Sequence, residues 1–240
     1  MTTTVSLGKL EEARQGPYFK SKKNRVFRSV LHGEVWVVKV YNRDWSDRAS
    51  LEFEVLRDCR ARGVAVPRPI SLLEGAIVME HVPGEHVSDL FDDLMSDLSS
   101  PNLSDELSGL AESMAAWLSS FHTAFGFELT RGDAILRNFI VGPGGPVGLD
   151  FEESARADAL TDLGQTCASA LMTDPAFTEH KVLFAQQMSD AYWKRTGEDR
   201  SEGLPDAIEA AVRHYAQFRP NGIDLVDKWS MTRGRFSSRQ

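Results

Sequence analysis

Residues 130–154 read "TRGDAILRNFIVGPGGPVGLDFEES", and this stretch decides the fold. Asp133, Asn138 and Asp150 stand at the borders of two short apolar runs, "FIV" and "VGL", joined by the turn "GPGG" at 142–145. Apolar runs around a Gly/Pro turn predict a pair of strands. Asp and Asn are ordinary turn formers, so their presence at strand ends requires no chemistry by itself. Their spacing makes chemistry available. Asp133 and Asn138 share one loop and can turn their side chains to the same side. A carboxylate there can accept a proton from a hydroxyl, and an amide oxygen can ligate a hard cation such as Mg2+. Asp150, at the end of the second run, can supply another cation ligand.

Upstream, residues 25–41, "RVFRSVLHGEVWVVKVY", predict two strands around a turn at His32-Gly33-Glu34. Lys39 interrupts a run that is otherwise apolar or aromatic, which places its ammonium beside a core and calls for an anionic partner. Residues 46–62 predict a helix, with Leu51, Val55, Leu56 and Cys59 at helical spacing and Gly63 as its stop. Glu52 on that helix is the expected partner of Lys39, with Glu54 as the substitute. "VAVPRPI" and "GAIVMEHV" then read as extended segments, and Pro83-Gly84 breaks the second.

The remainder is helical in pattern. Leu103, Leu107, Leu110, Met114, Trp117, Leu118, Phe121 and Phe125 form one stripe over 103–125. Further helical patterns cover about 158–172, 178–196 and 205–218. Strands with one helix, a break, then helices with one hairpin predict an α+β chain of two lobes, 1–82 and 83–240.

The chain has 240 residues, 42% of them apolar, and a net charge of −8, which excludes a globally basic nucleic-acid binder. Cys59 and Cys167 form no metal or disulfide pattern and read as buried thiols of a reducing compartment. No apolar run approaches the roughly 20 residues that span a bilayer. The start, "MTTTVSLGKLEEARQG", has no apolar signal region, so the expected location is the cytoplasm. The six histidines make no zinc spacing, and His122, on an apolar helix face, reads as a packed core residue. Neither G-x-S-x-G nor a Walker-type glycine loop is present.

The order strand lysine, helix glutamate, "VMEHV", Phe121-His122, G-D-x-x-x-x-N and D-F resembles the protein-kinase-like superfamily of phosphotransferases. The resemblance runs from about residue 20 to about 170 and implies a two-lobe α+β fold binding ATP and Mg2+ or Mn2+. It implies that Lys39 contacts the α/β phosphates and that Glu52 holds Lys39. The backbone at Glu80 and Val82 would meet adenine, and Ser21 to Asn24 would cover the phosphates. Asp133 would be the catalytic base, Asn138 and Asp150 the metal ligands, and Asp162 in "LTDLGQ" the support of the catalytic loop. "EFEVLRDCRARGVAVPRPI" is similar to small atypical members, namely the KEOPS-complex, RIO-type and lipopolysaccharide-core kinases.

The chain departs from the family pattern at three places. Arg131 stands where His or Tyr usually precedes G-D. Glu152 replaces the glycine after D-F. No glycine-rich loop precedes Lys39, and "FKSKKNRVFR" offers Lys20, Lys22, Lys23, Arg25 and Arg28 instead. The interval from Asp150 to Asp162 leaves no room for a long activation segment.

From Pro69 to Thr130 there is no Lys or Arg but a series of acids, which suits a cationic substrate or a plain solvated face. The C-terminal "DKWSMTRGRFSSRQ" is basic and is similar to the tail of the KEOPS kinase, or is an irregular end. The reading is an ATP-dependent phosphotransferase acting on a hydroxyl, in the manner of an atypical Ser/Thr kinase. A small amine or sugar acceptor is the first alternative, and a pseudokinase or ATP-binding scaffold is the second. Expected partners are ATP, an acceptor that is a protein or a small hydroxylated molecule, and a protein complex. No membrane is expected, and nucleic acid only through a partner.

Overall fold

The computed structural model of the chain describes residues 6–19, 21 and 23–236. A short helix α1 (Leu7–Glu12) leads into strands β1 (Arg14–Phe19), β2 (Arg25–Leu31) and β3 (Glu34–Val40). Helix α2 (Ser46–Ala61) follows, then β4 (Pro69–Leu73) and β5 (Ala76–Glu80). The five strands form one antiparallel sheet in the order β1-β2-β3-β5-β4. The hairpin between β2 and β3 is tighter than the sequence suggests. His32 and Gly33, with φ of 54° and 82°, make a two-residue turn, and Glu34 already pairs with Leu31.

Strand alternation sorts β3 between two cores. Trp36, Val38 and Val40 join Leu10, Phe27 and Val78 under α1. Val37 faces the larger core beside α2, with Val55, Leu56, Ile77 and Met79. Lys39 has the parity of Val37, so the pleat sends its ammonium to the α2 face. Helix α2 stops as the sequence predicts. Gly63 takes φ 78°, its N–H donates to the Arg60 carbonyl, and the Val64 N–H donates to the Cys59 carbonyl at 2.9 Å. That double bond pattern around a left-handed glycine closes the helix and buries Val64 against Cys59.

The second part begins with β6 (Glu85–His86), helix α3 (Val87–Ser96) and helix α4 (Leu103–Ala124). Strand β7 (Leu129–Thr130) precedes the pair β8 (Phe139–Gly142) and β9 (Gly145–Gly148), and β10 (Ala155–Arg156) returns to pair with β7. Four helices complete it: α5 (Leu160–Leu171), α6 (Glu179–Thr196), α7 (Leu204–Ala216) and α8 (Gly222–Thr232). Helix α4 packs on α6, and α5 packs on α7. The predicted stripe of α4 is buried from Leu103 to Phe121. Among the described residues no helix is long and apolar enough to cross a membrane.

Two segments differ from the sequence reading. Residues 87–96, taken only as part of an acidic stretch, are helix α3, with Val87, Phe91 and Met95 buried on one face. The basic C-terminal segment is not an irregular end through Phe236. Leu225 and Trp229, one turn apart on α8, are 0% and 1% exposed and dock the helix. Its cations are paired: Lys228 with Asp224 at 2.8 Å, Arg233 with Asp206 and Glu209, and Arg235 with Glu179 at 2.5 Å. Arg239 lies outside the described residues, as do Lys20 and Lys22.

Candidate active site

Lys39 is 5% exposed and sits among three carboxylates: Glu52 at 2.7 Å, Asp150 at 2.5 Å and Glu152 at 2.9 Å. Burial alone would lower the pKa of its ammonium. The carboxylates of Glu52, Asp150 and Glu152 outweigh it and hold that pKa above the usual lysine range. Glu52 is the partner the sequence predicts. Its Oε2 also accepts the Tyr41 hydroxyl, and its Oε1 accepts the Phe151 N–H at 3.2 Å. Glu54 plays no such part, because it faces outward and pairs with Arg57 on the next turn.

The loop that bears Asp133 is held from one face of α5. Asp162 accepts the backbone N–H of Arg131 at 2.8 Å and of Gly132 at 3.2 Å. Gln165 receives the Ala134 N–H at 2.9 Å and donates to the Gly132 carbonyl at 2.9 Å. Thr166 donates to the Ala134 carbonyl, and Ser169 accepts the Leu136 N–H. These four recur at i, i+3, i+4 and i+7, one helix face. His122 is buried as expected, and its ring bridges Asp162 at 3.1 Å and the Tyr192 hydroxyl at 2.8 Å. Gly132 has φ 83°, and a Cβ there would lie 2.1 Å from the Glu153 carbonyl oxygen, so a side chain would separate the loop from the D-F segment.

Both oxygens of the Asp133 carboxylate are engaged. Asn138 Nδ2 donates to Oδ2 at 3.0 Å and to the Asp133 carbonyl at 2.9 Å, and the Tyr215 hydroxyl donates to Oδ1 at 3.0 Å. Committing Nδ2 to Asp133 leaves the amide oxygen of Asn138 as the end with the chemistry to ligate a cation. The Asp150 carboxylate is 41% exposed and opens toward solvent. One oxygen each from Glu52, Asp150 and Glu152 lie within 4.8 Å of one another. Three carboxylates against one ammonium leave a surplus of negative charge in an all-oxygen donor set, which fits a hard divalent cation.

The Asn24 N–H donates to Ser21 Oγ at 3.2 Å, while Lys22 between them lies outside the described residues. Lys23 and Asn24 reach the D-F segment: Asn24 Nδ2 donates to Glu152, and Lys23 to Glu153 at 2.9 Å. Glu80 ends β5. Its N–H is taken by the Arg68 carbonyl at 2.9 Å and its carboxylate by the Arg68 N–H at 3.0 Å, so neither is left for a ligand. Val82 lies just beyond the sheet, and among the described residues its backbone makes no hydrogen bond.

Five side chains of the candidate site carry no role in the sequence reading, for different reasons. Glu152 was read only as a missing glycine, yet it is a ligand of Lys39. Tyr215 is 82 residues from Asp133, and nothing in its neighbourhood announces the contact. The polar stripe Asp162, Gln165, Thr166 and Ser169 on an apolar helix was a legible signal for the whole set, of which only Asp162 was drawn.

Residues 20–131 match the family described as Phosphotransferase enzyme family. The matched stretch holds Lys39 and Glu52 and ends just ahead of Asp133. No curated protein matches the chain. Among solved structures, the chain is similar to the amicoumacin kinase hAmiN in complex with AMP-PNP, Ca2+ and Ami. That similarity has 11% identity and a TM-score of 0.66, covering 95% of this chain and 91% of that one. It is similar to an aminoglycoside-3'-phosphotransferase of type VIII, at 17% identity and TM-score 0.57, covering 85% and 88%. It is also similar to WaaP in complex with acyl carrier protein, at 18% identity and TM-score 0.56, covering 95% and 91%. At such identities the likeness is one of fold.

Proposed function

We propose, for a chain that belongs to the protein-kinase-like superfamily of ATP-dependent phosphotransferases, that the γ-phosphoryl group passes to a hydroxyl of a small cationic molecule. The observation that carries this reading is the placement of Asp133 and Asn138 on one braced loop, with Asp150 beside it on the strand lysine at 2.5 Å. ATP would lie between residues 1–82 and 83–240, its adenine against the Glu80 carbonyl and the Val82 backbone. Lys39, steadied by Glu52, would grip the α and β phosphates, and the Ser21–Asn24 turn would lie over them. Asp133 would orient the acceptor hydroxyl and take its proton as the hydroxyl oxygen attacks in line. Mg2+ or Mn2+ held by Asp150 and Asn138 would neutralise the charge that develops on the transferring group.

A small acceptor is favoured over a protein by the path of the chain after Asp150. Residues 151–159 run directly from the D-F segment through β10 to α5, so there is no long segment on which a peptide would dock. A cationic acceptor is favoured by the acids between residues 69 and 130, which are exposed apart from half-buried Glu80. The similarity to an amicoumacin kinase and an aminoglycoside phosphotransferase points the same way. The cytoplasm, with its ATP, is the natural compartment.

The test is transfer of label from γ-labelled ATP with Mg2+ to a panel of hydroxylated amines, neutral sugars and a Ser/Thr-rich protein. Label on an amine is expected. Label on the protein alone would return the acceptor to the Ser/Thr class, and nucleotide binding without turnover would make the chain a binding module. Tyr215→Phe tests the acceptor side separately. The Tyr215 hydroxyl occupies Asp133 Oδ1, next to where an acceptor hydroxyl must arrive. Losing one hydrogen bond worth about 1 kcal/mol should raise the acceptor KM about fivefold and leave the KM for ATP unchanged. An unchanged acceptor KM would remove Tyr215 from that side.

A further inference from the structure

Arg131 is a large cation with 0% exposure, a costly placement for a position that the family fills with His or Tyr. Its guanidinium carbon lies 4.3 Å from the ring centre of Phe139, 5.0 Å from that of Phe151 and 5.5 Å from that of Trp117. Nε and Nη1 have no hydrogen-bond partner. The rings meet the cation instead, through the attraction of their faces for positive charge. All the directed bonding comes from Nη2, which donates to the carbonyls of Leu149 and of Asn138, the latter at 3.3 Å.

Those two carbonyls belong to the segments that carry the candidate cation ligands. The Asn138 carbonyl sits on the ligand residue itself and also accepts the Leu149 N–H at 2.8 Å. The Leu149 carbonyl belongs to the peptide plane that leads into Asp150. Asp150 has φ 61°, the left-handed region that a residue other than glycine adopts only when its surroundings hold it. On its other side the Phe151 N–H is held by Glu52. The peptides flanking Asp150 are therefore pinned from both directions, by Arg131 and by Glu52.

We propose that Arg131 is a positioning residue that sets the spacing and orientation of Asn138 and Asp150 so that their oxygens converge on one divalent cation. The inference rests on the phosphotransferase reading and deepens it. A guanidinium nitrogen with two hydrogens serves both carbonyls at once, whereas a phenol has a single hydrogen and a neutral imidazole a single N–H.

The test is calorimetric titration of ATP at a series of Mg2+ concentrations, on wild type, Arg131→Met and Arg131→Lys, with thermal unfolding of each to establish the folded fraction. Methionine fills the aromatic pocket and removes the donor. Lysine keeps a donor with three hydrogens and serves as the folding-competent control. Arg131→Met should need about 10–100-fold more Mg2+ for half-maximal ATP affinity, the usual cost of losing a group that orients a metal ligand. Its ATP affinity without divalent ion should be unchanged, and Arg131→Lys should recover wild-type Mg2+ dependence to within about threefold. A wild-type Mg2+ dependence in Arg131→Met overturns the inference. So does a loss of ATP affinity that is the same with and without Mg2+. A wild-type protein whose ATP binding ignores Mg2+ overturns the phosphotransferase reading, and this inference with it.

Discussion

Asp133→Ala should leave Mg·ATP bound at near wild-type affinity and reduce phosphoryl transfer about 10²–10⁴-fold, the range for a lost general base. The separation of the two effects follows from the geometry. Asp133 touches Asn138 and Tyr215, whereas Lys39 is held by Glu52, Asp150 and Glu152. Removing the carboxylate does not free the loop, because Asn138 Nδ2 keeps its bond to the Asp133 carbonyl at 2.9 Å and α5 still holds residues 131–136. Turnover by single-cycle label transfer and nucleotide affinity by calorimetry, on the same preparation, check both halves. Turnover equal to wild type would take Asp133 out of the base role.

Asp150→Asn should abolish the Mg2+-dependent share of ATP affinity, a loss of several kcal/mol or at least ~10²-fold. Asparagine is the better substitution than alanine, since it tolerates the left-handed backbone at φ 61°. Lys39 keeps Glu52 and Glu152, and the Asp150 carboxylate is 41% exposed, so the fold should hold and Tm should move little. Measuring ATP affinity with Mg2+ and with a chelator separates the metal contribution from the Lys39 contribution. Equal Mg2+ dependence in the variant and the wild type would contradict the ligand assignment of Asp150.

Much of this site is legible in the sequence because its parts are local. Lys39 announces itself as a cation in an apolar strand, Glu52 follows on the next helix, and Asp133, Asn138 and Asp150 flank one hairpin. The sequence narrows the partner of Lys39 to Glu52 or Glu54, and packing selects Glu52. The helices of residues 103–125 and beyond were legible for a similar reason, since an apolar stripe over several turns has one way to bury itself. Helix α3 is masked by its acids, because the charges of 87–96 are interleaved with the three buried positions Val87, Phe91 and Met95. The C-terminal cations mask α8 in the same way, since only Leu225 and Trp229 are buried along it.

By itself, then, the sequence determined the α+β order, the strand lysine with its helix glutamate, and the loop that bears a carboxylate and an amide. Tertiary structure alone decided that Glu152 joins the ligands of Lys39, that Tyr215 occupies Asp133, and that Arg131 holds the Asn138 and Leu149 carbonyls together. The physical reason is one of range. Periodicity reports which face of an element is buried. Which distant hydroxyl or guanidinium meets that face depends on how the elements pack, and a contact between residues 133 and 215 leaves no trace in the spacing of either.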